Sequence, residues 1–298
     1  DVVNHPQFAQ IYAAAQALAA ASNSVLGVLP QAANSVGADA IGFKATNNAV
    51  NPVAALNGSQ KAVMLLNIEP DMDWAGSEAA KQALVQAQTV IALTPFQSES
   101  LRELADVMLP VTPSTETSGS FVSMEGRLQS FHGVVKPYAQ SRPMWKVLRV
   151  IGNELDLDGF DYTSSEEVLA RACINSDSIV GKLNNQVQNV ASTGLQAASG
   201  LVRVGGVGIY QTDSVVRRSA PLQATVHAAI PAASVHPKTL AALQLTDAAQ
   251  VVVKSGAASV LVTVVADESV AENVVSLPLH PQNKVLGAMN NTIELGRG

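Results

Sequence analysis

The chain has 298 residues, 47% of them hydrophobic and 14% charged, with a mean hydropathy of +0.19, which excludes intrinsic disorder and provides for a buried core. Its net charge of −6, with no basic cluster beyond the doublet Arg217–Arg218, excludes a nucleic-acid binder, because neutralising phosphates needs concentrated positive charge. A single cysteine, Cys173, excludes an internal disulfide and any Cys-ligated zinc or iron–sulfur centre held by this chain alone, and fits a reducing compartment; the five histidines show no metal-ligand spacing.

At roughly 150 residues per domain the length predicts about two domains. The chain starts at Asp1, inside a helical segment, as expected of a processed protein or an excised fragment. Ala9–Ser22 lacks a basic leader and is mainly Ala, so it reads as an Ala-rich helix and not as a signal peptide. No other stretch supplies the roughly 20 strongly apolar residues of a membrane span, and a soluble chain is expected.

Ser24–Leu29 reads as a strand, and Lys61–Asn67 (KAVMLLN) as a strand covered on both faces. Helix is expected over Ser77–Gln88, strand over Thr89–Leu93, helix over Ser98–Ala105 and strand over Val107–Leu109, stopped by Pro110. Such alternation means parallel βαβ units. After a Thr/Ser/Pro-rich loop, Phe121–Met124 and Leu128–Phe131 form two short strands about the turn Glu125-Gly126-Arg127. A helix follows over Pro143–Leu155, and Ser164-Ser165-Glu166-Glu167 opens another with a capping box. Asn175–Ser219 is polar and weakly periodic. Beyond Pro221, Leu222–His227, Gln250–Lys254 and Val260–Val265 are strand-like, with a short helix at Pro237–Ala242, a pattern expected of a compact barrel.

Four places bear on chemistry. Glu69, Asp71 and Asp73 lie past a strand end, where open α/β sheets place ligands, although acids in a solvated first helical turn fit equally simple physics. In Thr117–Gln129, Gly119 and Gly126 let amides approach an anion and Arg127 offers a planar fork suited to phosphate; an ordinary polar hairpin explains the same spacing. Gly205-Gly206-Val207-Gly208 does not complete a dinucleotide loop and reads as a linker. Cys173, on an apolar face with Val168, Leu169 and Ala172, reads as a small buried hydrophobe. Spacing alone yields no reaction.

The ordered string Ala105-Asp106-Val107-Met108-Leu109-Pro110, Glu116, Gly119, Phe121, Glu125-Gly126-Arg127 and Gln129, then Lys136-Pro137 and Trp145, resembles the molybdopterin oxidoreductase superfamily. The C-terminal part, through His236-Pro237, Leu240, Leu243, Leu245, Val251–Lys254 and Val260–Val265, is similar to that superfamily's last domain. Asn34-Ser35-Val36-Gly37-Ala38, Leu66–Asp71 and Ile209-Tyr210-Gln211-Thr212-Asp213 with Val216-Arg217-Arg218 resemble the large iron–sulfur subunits of bacterial NADH-quinone oxidoreductase, respiratory complex I.

The resemblance implies an α/β fold: a parallel-sheet, Rossmann-like domain of the molybdopterin oxidoreductase type over 1–174 (partial), a polar excursion over 175–220, and a small double-psi β-barrel over 221–298. It implies a cluster-free structural part of a peripheral-arm subunit, with the iron–sulfur clusters in N-terminal domains outside these residues and no cofactor in this portion. Its partners would be those domains and the neighbouring subunits, at the cytoplasmic face of the bacterial inner membrane, without insertion into it. No catalytic residue and no metal ligand are expected, and Gly119, Ser123, Glu125, Gly126 and Arg127 are candidates for a vestigial pterin site. Ser123 stands where Asn is usual and Ser120 where Thr is usual. Two other readings remain open: the C-terminal half of a catalytic, formate-dehydrogenase-like molybdopterin oxidoreductase, and a free-standing α/β nucleotide or small-molecule binder.

Overall fold

The computed structural model describes residues 5, 7–30, 32–43, 60–74, 77–172, 174–184 and 198–297. The chain divides into two units, one built from Ala15–Ile68 and Ala83–Asn189, the other from Asp1–Ala14, Glu69–Gln82 and Val190–Gly298.

The first elements are α1 (Phe8–Ser22) and the short α2 (Ser35–Ala40). The segment between them, expected as a strand over Ser24–Leu29, is irregular and pairs with no strand among the described residues; Val25 is 98% exposed. A lone apolar run without a ladder partner has nothing to satisfy its backbone as a strand. The parallel sheet holds β1 (Ala62–Leu66), β2 (Thr89–Thr94) and β3 (Val107–Pro110) in that order. α3 (Pro70–Asp73), α4 (Ser77–Val85) and α5 (Glu99–Leu104) occupy the connections that parallel pairing requires. Val90, Ala92 and Leu93 of the central β2 are buried, as a strand covered on both faces must be. Ser98 caps α5 by accepting the Leu101 amide, and Asp106 accepts the Val90 amide at 2.7 Å, tying β3 to β2 by a side chain.

β4 (Gly119–Val122) and β5 (Leu128–Phe131) form an antiparallel hairpin, followed by α6 (Met144–Glu154), α7 (Ser165–Ala172) and α8 (Ser176–Val180). At α7 the expected capping box is shifted. Ser164 accepts the Glu167 amide, but the Glu167 carboxylate reaches back to the amide and hydroxyl of Thr163. A complete box sits instead at α8, between Asn175 and Ser178. Cys173 lies outside the described residues.

The second unit is a closed barrel in the order β10-β6-β11-β8-β9-β7. Its strands are β6 (Leu201–Val204), β7 (Ala233–Val235), β8 (Gln250–Ser255), β9 (Ala258–Ala266), β10 (Val274–Ser276) and β11 (Thr292–Arg297). Alternation fills the interior: Val251 and Val253 of β8, Val262 and Val264 of β9, Val235, Val275 and Ile293 are buried together. Each such valine contributes about 1.5–3 kcal/mol on burial. Leu222–His227 is not a strand. Pro221 sits in the first turn of a short helix, α9 (Ala220–Gln223), and a 3-10 turn follows at Val226–Ala228. The expected helix at Pro237–Ala242 is present as α10, with His236 Nδ1 accepting the Lys238 amide.

The Gly-rich run 205–208, expected as a linker, follows β6 directly and is held by backbone bonds to 277–279, with a bridge between Val207 and Leu279. Leu277 N donates to Val204 O and Leu279 N to Gly206 O. At Gly205 (φ +151°) a Cβ would lie 2.8 Å from the Pro278 backbone, so only glycine permits the approach.

Candidate functional site

The hairpin that sequence reading singled out is built to close on itself. Ser123 N donates to Arg127 O (3.0 Å), Gly126 N to Ser123 O (2.9 Å) and Arg127 N to Ser123 Oγ (3.3 Å), so three amides of the turn are already engaged. Gly126 takes φ +82°, and a Cβ there would lie 2.9 Å from both Val180 and Leu183, with Ile179 behind them. The glycine therefore admits the chain's own apolar side chains, from α8 and just beyond it. Gly119 has the same role at the other end, where a Cβ would meet the Phe131 ring at 2.9 Å. Phe131 packs edge-on against Phe121, and the Ser120 and Ser130 hydroxyls bond across the strands at 2.8 Å.

Asn34, part of the string that carried the resemblance, anchors this hairpin. Its Oδ1 accepts the Val122 amide at 2.9 Å, and Gly37 leaves it room, since a Cβ there would collide with that oxygen. Of the five predicted site residues, Gly119 and Gly126 serve packing and Ser123 closes the turn. Glu125 and Arg127 point to solvent. A cavity of about 230 Å³ lies beside Gly119, lined chiefly by Ile41, Val122, Trp145, Val168 and Leu169. That is below the roughly 300–1,000 Å³ of a site for a drug-sized ligand.

The acids past β1 meet a different fate from either expectation. Glu69 is 3% exposed, and its carboxylate accepts Arg218 Nη1 (2.9 Å) and Nη2 (2.6 Å) as a bidentate pair and Arg217 Nη2 at 3.3 Å. Asp73 Oδ1 accepts Arg217 Nη1 at 2.7 Å, and its Oδ2 accepts the Glu69 amide at 2.7 Å. The doublet set aside as too small for nucleic acid thus neutralises Glu69 and Asp73 inside the barrel unit. Asp213 holds the arginines in place by accepting the Val215 and Val216 amides. Arg217 Nε is buried without a partner.

Two basic residues of the barrel escaped sequence reading. Arg203 on β6 is fully buried; it donates to Leu277 O, Gly287 O and Asn283 Oδ1, and burial pushes its pKa down to about 10. Lys284 is buried in the loop that Arg203 holds, with Met72 Sδ as its hydrogen-bond partner at 3.7 Å; burial lowers its pKa, and Asp71 opposes that shift. The signal for Arg203 was a charge within the apolar run Leu-Val-Arg-Val. Lys284 carried none. Among the described residues no three His, Cys, Asp or Glu side chains converge as metal ligands.

The family described as Molybdopterin oxidoreductase matches residues 1–154, and the one described as Molydopterin dinucleotide binding domain matches residues 201–295. A putative formate dehydrogenase of Staphylococcus aureus is 38% identical over 65 residues, 22% of this chain and 6% of that protein. The NADPH-Fe(3+) oxidoreductase subunit alpha of Geobacter sulfurreducens is 31% identical over 98 residues, 33% of this chain and 12% of that protein. These matches span only a small part of either relative. The acetylene hydratase from Pelobacter acetylenicus shares the fold with a TM-score of 0.56 at 13% identity, covering 80% of this chain and 44% of that one. No described helix is long and apolar enough to cross a membrane.

Proposed function

This chain belongs to the molybdopterin oxidoreductase family, and on that footing we propose that it is a structural portion of a respiratory NADH:quinone oxidoreductase subunit that holds no pterin at its hairpin. The observation that carries the reading is the Ser123–Arg127 turn, whose amides bond one another and whose Gly126 is covered by Val180 and Leu183. A dinucleotide phosphate needs free amides at such a turn. The engaged amides at 123, 126 and 127 are what supports reading this turn as one that does not cradle the pterin dinucleotide.

In this reading the barrel is of the double-psi type and the three-stranded sheet belongs to a larger Rossmann-like domain. Iron–sulfur clusters N-terminal to these residues carry the electrons, and the chain packs against those domains and neighbouring peripheral-arm subunits at the cytoplasmic face of the membrane. The ordered strings around Asn34, Leu66–Asp71 and Ile209–Arg218 support this choice within the family.

A second reading, a formate-dehydrogenase-like catalytic half, is favoured by the 38% identity to the Staphylococcus aureus protein. Arg127 and Glu125, both exposed, would then be the groups free to meet a ligand. The two separate on the full-length protein from its own host. Structural service predicts no molybdenum or tungsten by elemental analysis and no fluorescence of oxidised pterin after acid release. Stoichiometric pterin overturns it.

A further inference from the structure

Residues 126–153 contain five basic side chains, Arg127, Lys136, Arg142, Lys146 and Arg149, and no acid, whereas the rest of the chain carries 13 basic against 24 acidic residues. The fold gathers three of them. Lys136, Arg142 and Lys146 line an open groove of about 820 Å³ between the loop 132–142, the start of α6 and the start of α7. None of the three makes an ion pair among the described residues. Lys146 lies over the Trp145 ring at 5.2 Å, and Arg142 donates to the Ser141 carbonyl. The acids in the groove are Glu116, which accepts the Tyr138 amide, and Glu166, 4.0 Å from His132.

The loop that forms the rim is apolar as well as basic. Val134 is 84% and Tyr138 81% exposed, with Val135 beside them. They sit on an ordered backbone: the Val134 and Val135 amides donate to Thr115 O, Ser141 N to Tyr138 O and Arg142 N to Pro110 O. At Gly133 a Cβ would come within 3.1 Å of the Glu116 backbone, which fixes the loop's close approach. Exposed apolar groups held rigidly beside unpaired cations are the composition of a docking surface, where charge steers and aromatic or aliphatic anchors bind. The groove is open and its cations are few, which suits a protein segment better than a nucleotide or nucleic acid, whose phosphates need denser positive charge.

We propose that this face docks an acidic, apolar-flanked segment of a second polypeptide. Asp or Glu side chains would meet Lys136, Arg142 and Lys146 while apolar neighbours cover Val134, Val135 and Tyr138. The inference rests on the structural role above and names the chemistry of one of its contacts.

The test uses the full-length protein in the assembly purified from its host. Zero-length carbodiimide cross-linking joins Lys136 or Lys146 to a carboxylate in contact with it, read by mass spectrometry. The expected result is cross-links to Asp or Glu of another polypeptide, with at least tenfold protection of both lysines from acetylation relative to the isolated full-length chain. Lys136→Glu with Lys146→Glu, at exposed positions that make no ion pair among the described residues, is expected to keep the unfolding midpoint of the parent while losing those cross-links and lowering recovery of the cross-linked polypeptide at least tenfold. Purification as a lone polypeptide, cross-links to Glu116 and Glu166 only, or equal acetylation in both states overturns the proposal. So does binding of a twelve-residue oligothymidylate to the isolated chain that the double reversal abolishes. Failure of the wider reading is seen separately, as pterin in the same preparation.

Discussion

Glu69→Gln tests whether the charge cluster of the barrel unit is structural. The substitution keeps the shape and one acceptor but removes the charge that faces two guanidinium groups. Arg217, with 4% of its side chain exposed and its Nε already without a partner, then keeps Asp73 as its one carboxylate among those it contacts. Breaking a buried pair by removing one member costs about 3–5 kcal/mol, and the retained Gln oxygen places the loss near the lower end. Arg218 has 34% of its side chain exposed, so Arg218→Gln is screened and loses about 1 kcal/mol. Because both changes act on one network, the double variant falls short of their sum. Trp74 terminates α3, so its fluorescence in a Trp145→Phe background follows urea unfolding of this segment directly. Salt supplies the internal control: the exposed Lys238–Glu272 pair weakens from 0.05 to 0.5 M NaCl, and the Glu69 cluster does not. A Glu69→Gln midpoint equivalent to less than about 0.5 kcal/mol, the range of an ordinary surface change, refutes the reasoning.

Gly126→Ala places a Cβ on a left-handed backbone and against Val180 and Leu183; a loss of about 2 kcal/mol is expected in thermal unfolding, partly restored by adding Val180→Ala. Arg203→Met removes the donors to Leu277 O, Gly287 O and Asn283 Oδ1, of which Asn283 Oδ1 keeps only the His280 amide, with an expected loss of about 3 kcal/mol and faster hydrogen exchange through 277–290. Burial lowers the His280 pKa, so the unfolded chain takes up the proton first; stability should fall as pH drops below the unfolded value near 6.5, and His280→Gln should flatten that slope in urea titrations between pH 7.5 and 5.

The fold was legible where periodicity and local chemistry agreed. Thr89–Leu93 and Val107–Leu109 are β2 and β3 to within a residue, and Pro237–Ala242 is a helix, because apolar runs, Pro and capping residues act locally. Several misses share a cause in long-range pairing. β7 and β10 are three residues each and owe their existence to ladders with strands far away in sequence, while Ser24–Leu29 looks like a strand and joins no ladder among the described residues. Leu222–His227 failed for a local reason, since Pro221 is better placed in a first helical turn than before a strand.

The candidate sites show a different limit. A glycine in sequence announces that something comes close to the backbone, but not what. At Gly119 it is Phe131, at Gly126 it is Val180 and Leu183, and at Gly205 it is the Pro278 backbone, so each position that invited a ligand admits the chain itself. The same ambiguity governs charge. Glu69 and Arg218 stand 149 residues apart and each alone reads as surface, yet together they form a bidentate buried pair. Charges gathered together with no ion pair among the described residues are more informative. Arg203 is held by carbonyls and Asn283, and Arg217 and Arg218 by carboxylates, whereas Lys136, Arg142 and Lys146 gather in one groove beside exposed Val134 and Tyr138. A fold that pairs its buried arginines so closely, yet leaves three cations and an ordered apolar rim uncovered on one face, directs the search for function to that face and away from the closed turn.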